Sequence, residues 1–119
     1  MMPLQDFSSI PEVDVEMLAA QLKDEPSTIQ LLDVREPQEV AIANLLSFKN
    51  LPLSQFSEWS TALSEQLDLH QETWVMCHHG MRSAQVCIWL SQNGFSNVKN
   101  VSGGIDAYSL RVDPSIPRY

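Results

Sequence analysis

Positive charge is scarce in this chain: 7 Lys and Arg stand against 15 Asp and Glu in 119 residues, for a net charge of −8. Neutralisation of phosphates by Lys and Arg supplies most non-specific nucleic-acid affinity, so a chain this acidic is not expected to bind nucleic acid. Cysteine is nearly missing, with Cys77 and Cys87 alone. That excludes a disulfide framework and suits a reducing compartment for any reactive thiol. No apolar run approaches the roughly 20 residues that cross a bilayer. Met1-Met2-Pro3-Leu4-Gln5-Asp6 offers neither the basic nor the apolar stretch of a secretory signal. No membrane partner is therefore expected, and the cytoplasm is the expected location. Internal repeats, low-complexity blocks and Gly/Ser linkers are also missing. With 44% hydrophobic residues, a single core and a single domain over residues 1–119 are expected.

Charge is unevenly spread. Residues 1–72 hold 13 acidic and 3 basic side chains, whereas residues 73–119 hold 2 acidic and 4 basic. The simplest reading of the first part is a solvated acidic surface; the sharper one is a face for a basic partner.

Local patterns divide the chain into alternating strands and helices. Asp14 is placed to cap a helix through about Lys23, with Val15, Leu18, Ala19 and Leu22 on one face, and Asp24-Glu25-Pro26-Ser27 breaks it. Thr28 to Val34 is almost continuously apolar, as in a strand covered on both faces. Pro37 suits the first turn of a short helix, with Glu36 and Glu39 as solvated acids favourable to its dipole. Ser54 is expected to cap a long helix through about Leu67, burying Phe56, Trp59 and Leu63. Trp74-Val75-Met76 reads as a buried strand. A helix opening near Ser83 and stopped by Asn93-Gly94 sets Ala84, Cys87, Ile88 and Ser91 on one face, so Cys87 is expected in the core. Asn97 to Val101 reads as a last short strand. Such alternation predicts an α/β fold, a three-layer α/β/α sandwich around a mainly parallel sheet. Ligands then bind beyond the carboxyl ends of the strands, where Cys77 falls.

The stretch Cys77-His78-His79-Gly80-Met81-Arg82-Ser83 joins the Trp74-Val75-Met76 strand to the following helix. The first N–H groups of that helix lack intrahelical acceptors, and the macrodipole adds partial positive charge at the same end. Concave runs of N–H groups bind anions. A thiolate on Cys77, the reactive form of the side chain, would gain from these donors and from Arg82. A helix terminus contributes about 0.3 to 1 kcal/mol, and ~2 when partly buried, so Arg82 and direct hydrogen bonds are expected to supply the rest. Cys77 is expected to be exposed as it leads into this polar loop. Gly80 permits backbone curvature, Met81 belongs to the loop's pocket lining, and Ser83 either caps the helix or donates to a bound sulfur. His78 and His79 are expected at the pocket rim and no metal is expected, because consecutive side chains in a short loop rarely converge and no second ligand cluster is visible.

At these residues the chain resembles the rhodanese family, single-domain sulfurtransferases whose loop runs from a cysteine to an arginine with four residues between, followed here by Ser83. Ile29-Gln30-Leu31-Leu32-Asp33-Val34-Arg35-Glu36-Pro37-Gln38-Glu39-Val40 resembles its first signature, Leu51-Pro52-Leu53 its next strand end, and Val101-Ser102-Gly103-Gly104-Ile105-Asp106-Ala107-Tyr108 its glycine-pair turn and helix. Asp113-Pro114-Ser115-Ile116-Pro117-Arg118-Tyr119 is similar to a common ending of these domains. The chain departs from the pattern at Asn44, where a basic residue or His is usual, and at Ser47-Phe48, where a Gly-Ala pair is usual and a different turn is expected. The resemblance implies sulfur transfer from a small-molecule donor such as thiosulfate to an acceptor such as cyanide, a thiol or a protein. Sulfur would be carried as a Cys77 persulfide with no separate cofactor, with Arg82 as the anion anchor and Asp33 and Arg35 as a structural pair near the site. Two alternatives stand beside it. One is phosphatase or arsenate-reductase chemistry, whose loops hold one more residue between cysteine and arginine; the other is a rhodanese-like sulfur-relay or regulatory binding module.

Overall fold

A computed structural model describes residues 10–24 and 28–119; the opening residues Met1 to Asp6 and most of the break at Glu25-Pro26-Ser27 lie outside the described residues. Among the described residues, five strands form one sheet in the order β1-β5-β4-β2-β3: β1 (Glu12–Val13), β2 (Gln30–Asp33), β3 (Lys49–Asn50), β4 (Thr73–Met76) and β5 (Val98–Val101). Every pairing is parallel, with Asp33 opposite both Met76 and Asn50. Parallel neighbours need long connections, which hold α1 (Val15–Leu22), α2 (Pro37–Ile42) and α5 (Met81–Gln92), and α6 (Gly104–Arg111) follows the last strand.

The strand pleat sorts the core into two layers. Leu31, Trp74, Met76 and Val101 meet Val15 and Leu18 of α1 and Ile105 and Tyr108 of α6 on one face. Leu32, Val75 and Val98 meet Leu63 and the Val86, Cys87 and Leu90 face of α5 on the other. Successive residues of β4 thus serve opposite cores, as the two-residue period of a strand requires. This is the three-layer α/β/α sandwich that the sequence predicts, and Cys87 lies fully inside its second core.

Local chemistry explains the boundaries. Asp14 is extended and accepts the Met17 N–H at 2.8 Å, capping α1 as expected. Pro37 opens α2 behind Glu36, whose capping box with Glu39 satisfies donors at both ends of the turn. The long helix expected from Ser54 to Leu67 is broken instead. A 3₁₀ turn (Leu53–Gln55), α3 (Phe56–Trp59), a second 3₁₀ turn (Ser60–Ala62) and α4 (Leu63–Gln66) follow one another. Pro52, not Ser54, begins the segment, and both the Ser54 N–H and its hydroxyl turn to the Glu36 carboxylate. Ser57, Ser60, Thr61 and Ser64 crowd the stretch, and hydroxyl side chains compete with helical hydrogen bonding; Thr61 Oγ1 donates to the Glu58 carbonyl at 3.3 Å. Between α2 and β3 the Ser47-Phe48 turn forms without positive φ, closed by the Phe48 N–H donating to Leu45 O, with Phe48 half-buried against the first core.

The chain leaves β2 toward β3 on one side and β4 toward β5 on the other. The crevice between the carboxyl ends of β2 and β4 is therefore the topological switch point, where open α/β sheets bind ligands. Asp33 ends one of these strands and Cys77 follows the other.

Candidate active site

Cys77 leaves β4 at the crevice and is buried, with 1% of its surface exposed. The expectation of an exposed thiol is corrected: the loop folds back over the sulfur. Gly80 takes φ 101°, a left-handed conformation open to glycine, and so returns its own N–H to Cys77 Sγ at 3.0 Å. Helix α5 starts at once behind it, at Met81, two residues earlier than the sequence suggests. Ser83 consequently does not cap the helix. It sits inside the first turn, buried, with its hydroxyl 3.3 Å from Cys77 Sγ and 2.5 Å from Asn100 Oδ1. Met81 is 60% exposed at the mouth.

Two elements hold the loop from below, and sequence reasoning misses one of them. Asn100, 2% exposed in β5, accepts the Ser83 hydroxyl proton and donates to the Gly80 carbonyl at 3.0 Å and to Glu12 at 3.1 Å. Its signal in the sequence is a local conflict: a short polar amide sits inside a strand-forming run, where asparagine is disfavoured. The second element is the Gly103-Gly104 turn. The N–H groups of Ile105 and Asp106, in the first turn of α6, donate to the carbonyls of Cys77 at 3.0 Å and His78 at 3.1 Å. Gly104 makes this contact possible, because its φ is +61° and a Cβ there would run into those carbonyl groups.

Arg82 takes a different partner from the one expected. Its guanidinium forms a fork with Glu39, with Nη1 to Oε2 at 2.7 Å and Nη2 to Oε1 at 2.8 Å. Glu39 is correspondingly not a solvated acid. Hydrogen bonding from Arg82, reinforced by the Glu36 N–H and the Tyr119 hydroxyl, brings its carboxyl down to about 2. The same contact raises the pKa of Arg82, to which the nearby Cys77 adds a smaller share. Arg82 is thus close enough to sense Cys77 while its donor fork is engaged elsewhere.

Asp33 and Arg35 lie beside this network, both buried, with Arg35 Nη2 2.7 Å from Asp33 Oδ2 and Nε 3.0 Å from Oδ1. Arg35 also donates to the carbonyls of Ala43 at 2.7 Å and Glu39 at 3.3 Å, and to the Tyr119 oxygen at 2.9 Å. A buried charge needs such complete partnering. Tyr119 passes the chain on, donating to Glu39 Oε1 at 3.0 Å.

The two histidines converge, contrary to the sequence argument. Their rings stack 3.8 Å apart, and Tyr119 stacks on His78 at 3.8 Å with planes 10° apart. Burial, then His79, lowers the pKa of His78, and its Nε2 is buried without a partner among the described residues. His79 stands 61% exposed at the rim, 3.9 Å from Asp106. Among the described residues, His78, His79 and Asp106 are the group that could meet a cation, with donor atoms within 4.8 Å of one another. Such an ion would compete with the Arg118 Nε, 3.0 Å from Asp106, and with the ring stacking. Asn44 stands apart from all this, its amide folded onto the Val40 carbonyl at the end of α2.

The family described as Rhodanese-like domain matches residues 14–111. The Rhodanese-like/PpiC domain-containing protein 12, chloroplastic, of Arabidopsis thaliana is 44% identical over 118 residues, covering 98% of this chain and 40% of its own length. The chain thus spans well under half of that relative. Thiosulfate sulfurtransferase GlpE of Vibrio cholerae is 32% identical over 97 residues, covering 79% of this chain and 85% of the relative. Among solved structures, a rhodanese-related protein of Thermoplasma volcanium is 29% identical with a TM-score of 0.69, covering 90% of this chain and 95% of that one.

Proposed function

The chain belongs to the rhodanese-like domain family, and from that membership we propose that it is a sulfurtransferase that carries sulfane sulfur on Cys77. The observation that bears most weight is the Gly80 N–H aimed at Cys77 Sγ from 3.0 Å, in a loop that also brings the Ser83 hydroxyl to the sulfur. A negatively charged sulfur needs a donor fixed in advance, and the folded loop supplies the Gly80 N–H without reorganisation, while the Ser83 proton goes to Asn100 Oδ1.

In the first half-reaction the Cys77 thiolate attacks the outer sulfur of a donor such as thiosulfate. A new S–S bond forms to Sγ, the donor's S–S bond breaks, and its electron pair leaves on sulfite. Cys77 is left as a persulfide anion cradled by the Gly80 N–H and the first amides of α5. In the second half, a thiophilic acceptor such as cyanide or a thiol attacks the terminal sulfur, and the Cys77 thiolate is regenerated. This is covalent catalysis in two steps and gives ping-pong kinetics. Gly80 and Ser83 touch the sulfur; Asn100, Gly104 and the Asp33–Arg35 pair position the loop. Both reactants can be small molecules, and a protein thiol fits the acceptor role equally. No separate cofactor is needed. A reducing compartment suits the two thiols: the cytoplasm is the sequence's default, and the chloroplastic name of the Arabidopsis relative offers a second location of that kind.

Intact mass after incubation with thiosulfate tests the proposal. The wild-type chain should gain one sulfur atom, Cys77→Ser none, and Cys87→Ala the same as wild type. Absence of a gain in the wild type, or its persistence in Cys77→Ser, would overturn the reading.

A further inference from the structure

All four arginines of the chain are paired with carboxylates: Arg35 with Asp33, Arg82 with Glu39, Arg111 with Glu16 and Arg118 with Asp106. Three of those pairs surround the Cys77 loop. Each arginine near the crevice therefore already carries a carboxylate partner, and the N–H donor aimed at the sulfur is that of Gly80. Glu39 is responsible at the decisive place. Both of its oxygens are on Arg82, the one arginine of the loop itself, and its position is fixed from two further directions by the Glu36 N–H at 3.0 Å and the Tyr119 hydroxyl at 3.0 Å. A tether fastened this way is not released by a small rotation of one side chain.

The charge of a donor decides how much this matters. Thiosulfate brings two negative charges to the loop and must leave one sulfite dianion behind. A persulfide, R–S–SH, brings at most one charge on its sulfane unit, and its sulfur passes to Cys77 as the S–S bond breaks with the electron pair leaving on the thiolate RS⁻. Coulomb attraction scales with the product of charges, so a neutralised Arg82 withdraws more help from the dianion than from the persulfide. Resting on the sulfurtransferase reading above, we propose that Glu39, by occupying Arg82, makes this site select a thiol-bound persulfide as sulfur donor over the thiosulfate dianion.

The test is a single-turnover measurement of how fast Cys77 gains sulfur, read by intact mass, with thiosulfate and with cysteine persulfide as donors. Glu39→Gln keeps the shape and the contact to Tyr119 but frees the charge of Arg82. The ratio of the thiosulfate to the persulfide rate constant should rise at least tenfold, and the double variant Glu39→Gln/Arg82→Gln, neutral again, should bring it back toward wild type. A purely structural role for Glu39 predicts that both donors slow by one factor and the ratio stays put, which would overturn the proposal. The wild-type chain gives an independent reading. Its thiosulfate rate should hold or rise as salt is added, since no net charge attracts the dianion and the chain as a whole carries −8, whereas a steep fall on adding salt would also overturn it. If neither donor loads wild-type Cys77, it is the sulfurtransferase reading that fails.

Discussion

Asn100 holds Ser83 from the neighbouring strand: its Oδ1 lies 2.5 Å from the Ser83 hydroxyl, and its amide reaches the Gly80 carbonyl at 3.0 Å. One side chain of β5 thus fixes both residues that touch the sulfur of Cys77.

Replacing Asn100 with Leu should therefore damage the site and the fold together. The Ser83 hydroxyl and the Gly80 carbonyl would be left buried without their partner, at about 1 to 3 kcal/mol for such unsatisfied groups. Urea unfolding should register that loss, and sulfur loading of Cys77 should slow in parallel. A fully stable variant with unchanged loading would refute the buttressing role.

Gly104 and Gly94 form an internal control. Both have positive φ, at +61° and +96°, but a Cβ on Gly104 meets the Cys77 and His78 carbonyls, whereas on Gly94 it meets only Leu69 methyls at 3.7 and 3.8 Å. Gly94→Ala should cost about 1 to 2 kcal/mol for the left-handed backbone alone. Gly104→Ala adds the collision and should cost about 3 kcal/mol or more, with sulfur loading lost. Thermal or urea denaturation of the two variants side by side decides it.

Acid should act through Glu39. Its carboxyl lies near 4.5 when free and at about 2 in the fold, chiefly because of Arg82. A depressed folded pKa contributes stability above the free value and loses it as pH falls toward the folded one. The melting temperature of the wild type should thus drop more steeply than that of Glu39→Gln between pH 4.5 and 2. Parallel pH profiles of the two proteins would contradict the assignment.

Much of the architecture is written in local pattern. The apolar runs at β2 and β4, the Asp14 cap and the Pro37 start are each decided by neighbours in sequence, and they recur in the structure where the sequence places them. The segment from Leu53 to Gln66 is different, because its hydrophobic spacing is helical while its hydroxyl residues and the distant Glu36 pull the backbone out of a single helix. At the site, the order from Cys77 to Ser83 is legible, and so is the buried Asp33–Arg35 pair. The partners of that loop are not. Glu39, Asn100 and Tyr119 reach it from 38 residues before Cys77 to 42 after, and only the folded sheet brings them together. For the same reason the sequence points Arg82 at a ligand, whereas the fold gives it to Glu39.

Cys77 belongs to the packed interior, with 1% of its surface exposed, while Met81 and His79 stand open at the mouth above it. A sulfur added to Sγ would stand one bond further out, toward that mouth. The loaded and empty forms would then differ in what they offer the solvent: a reachable sulfur in one, a sheltered thiol in the other. Such a chain would slow bulky alkylating agents at its empty thiol more than a slim sulfur donor, and an acceptor would meet the cargo before the thiol.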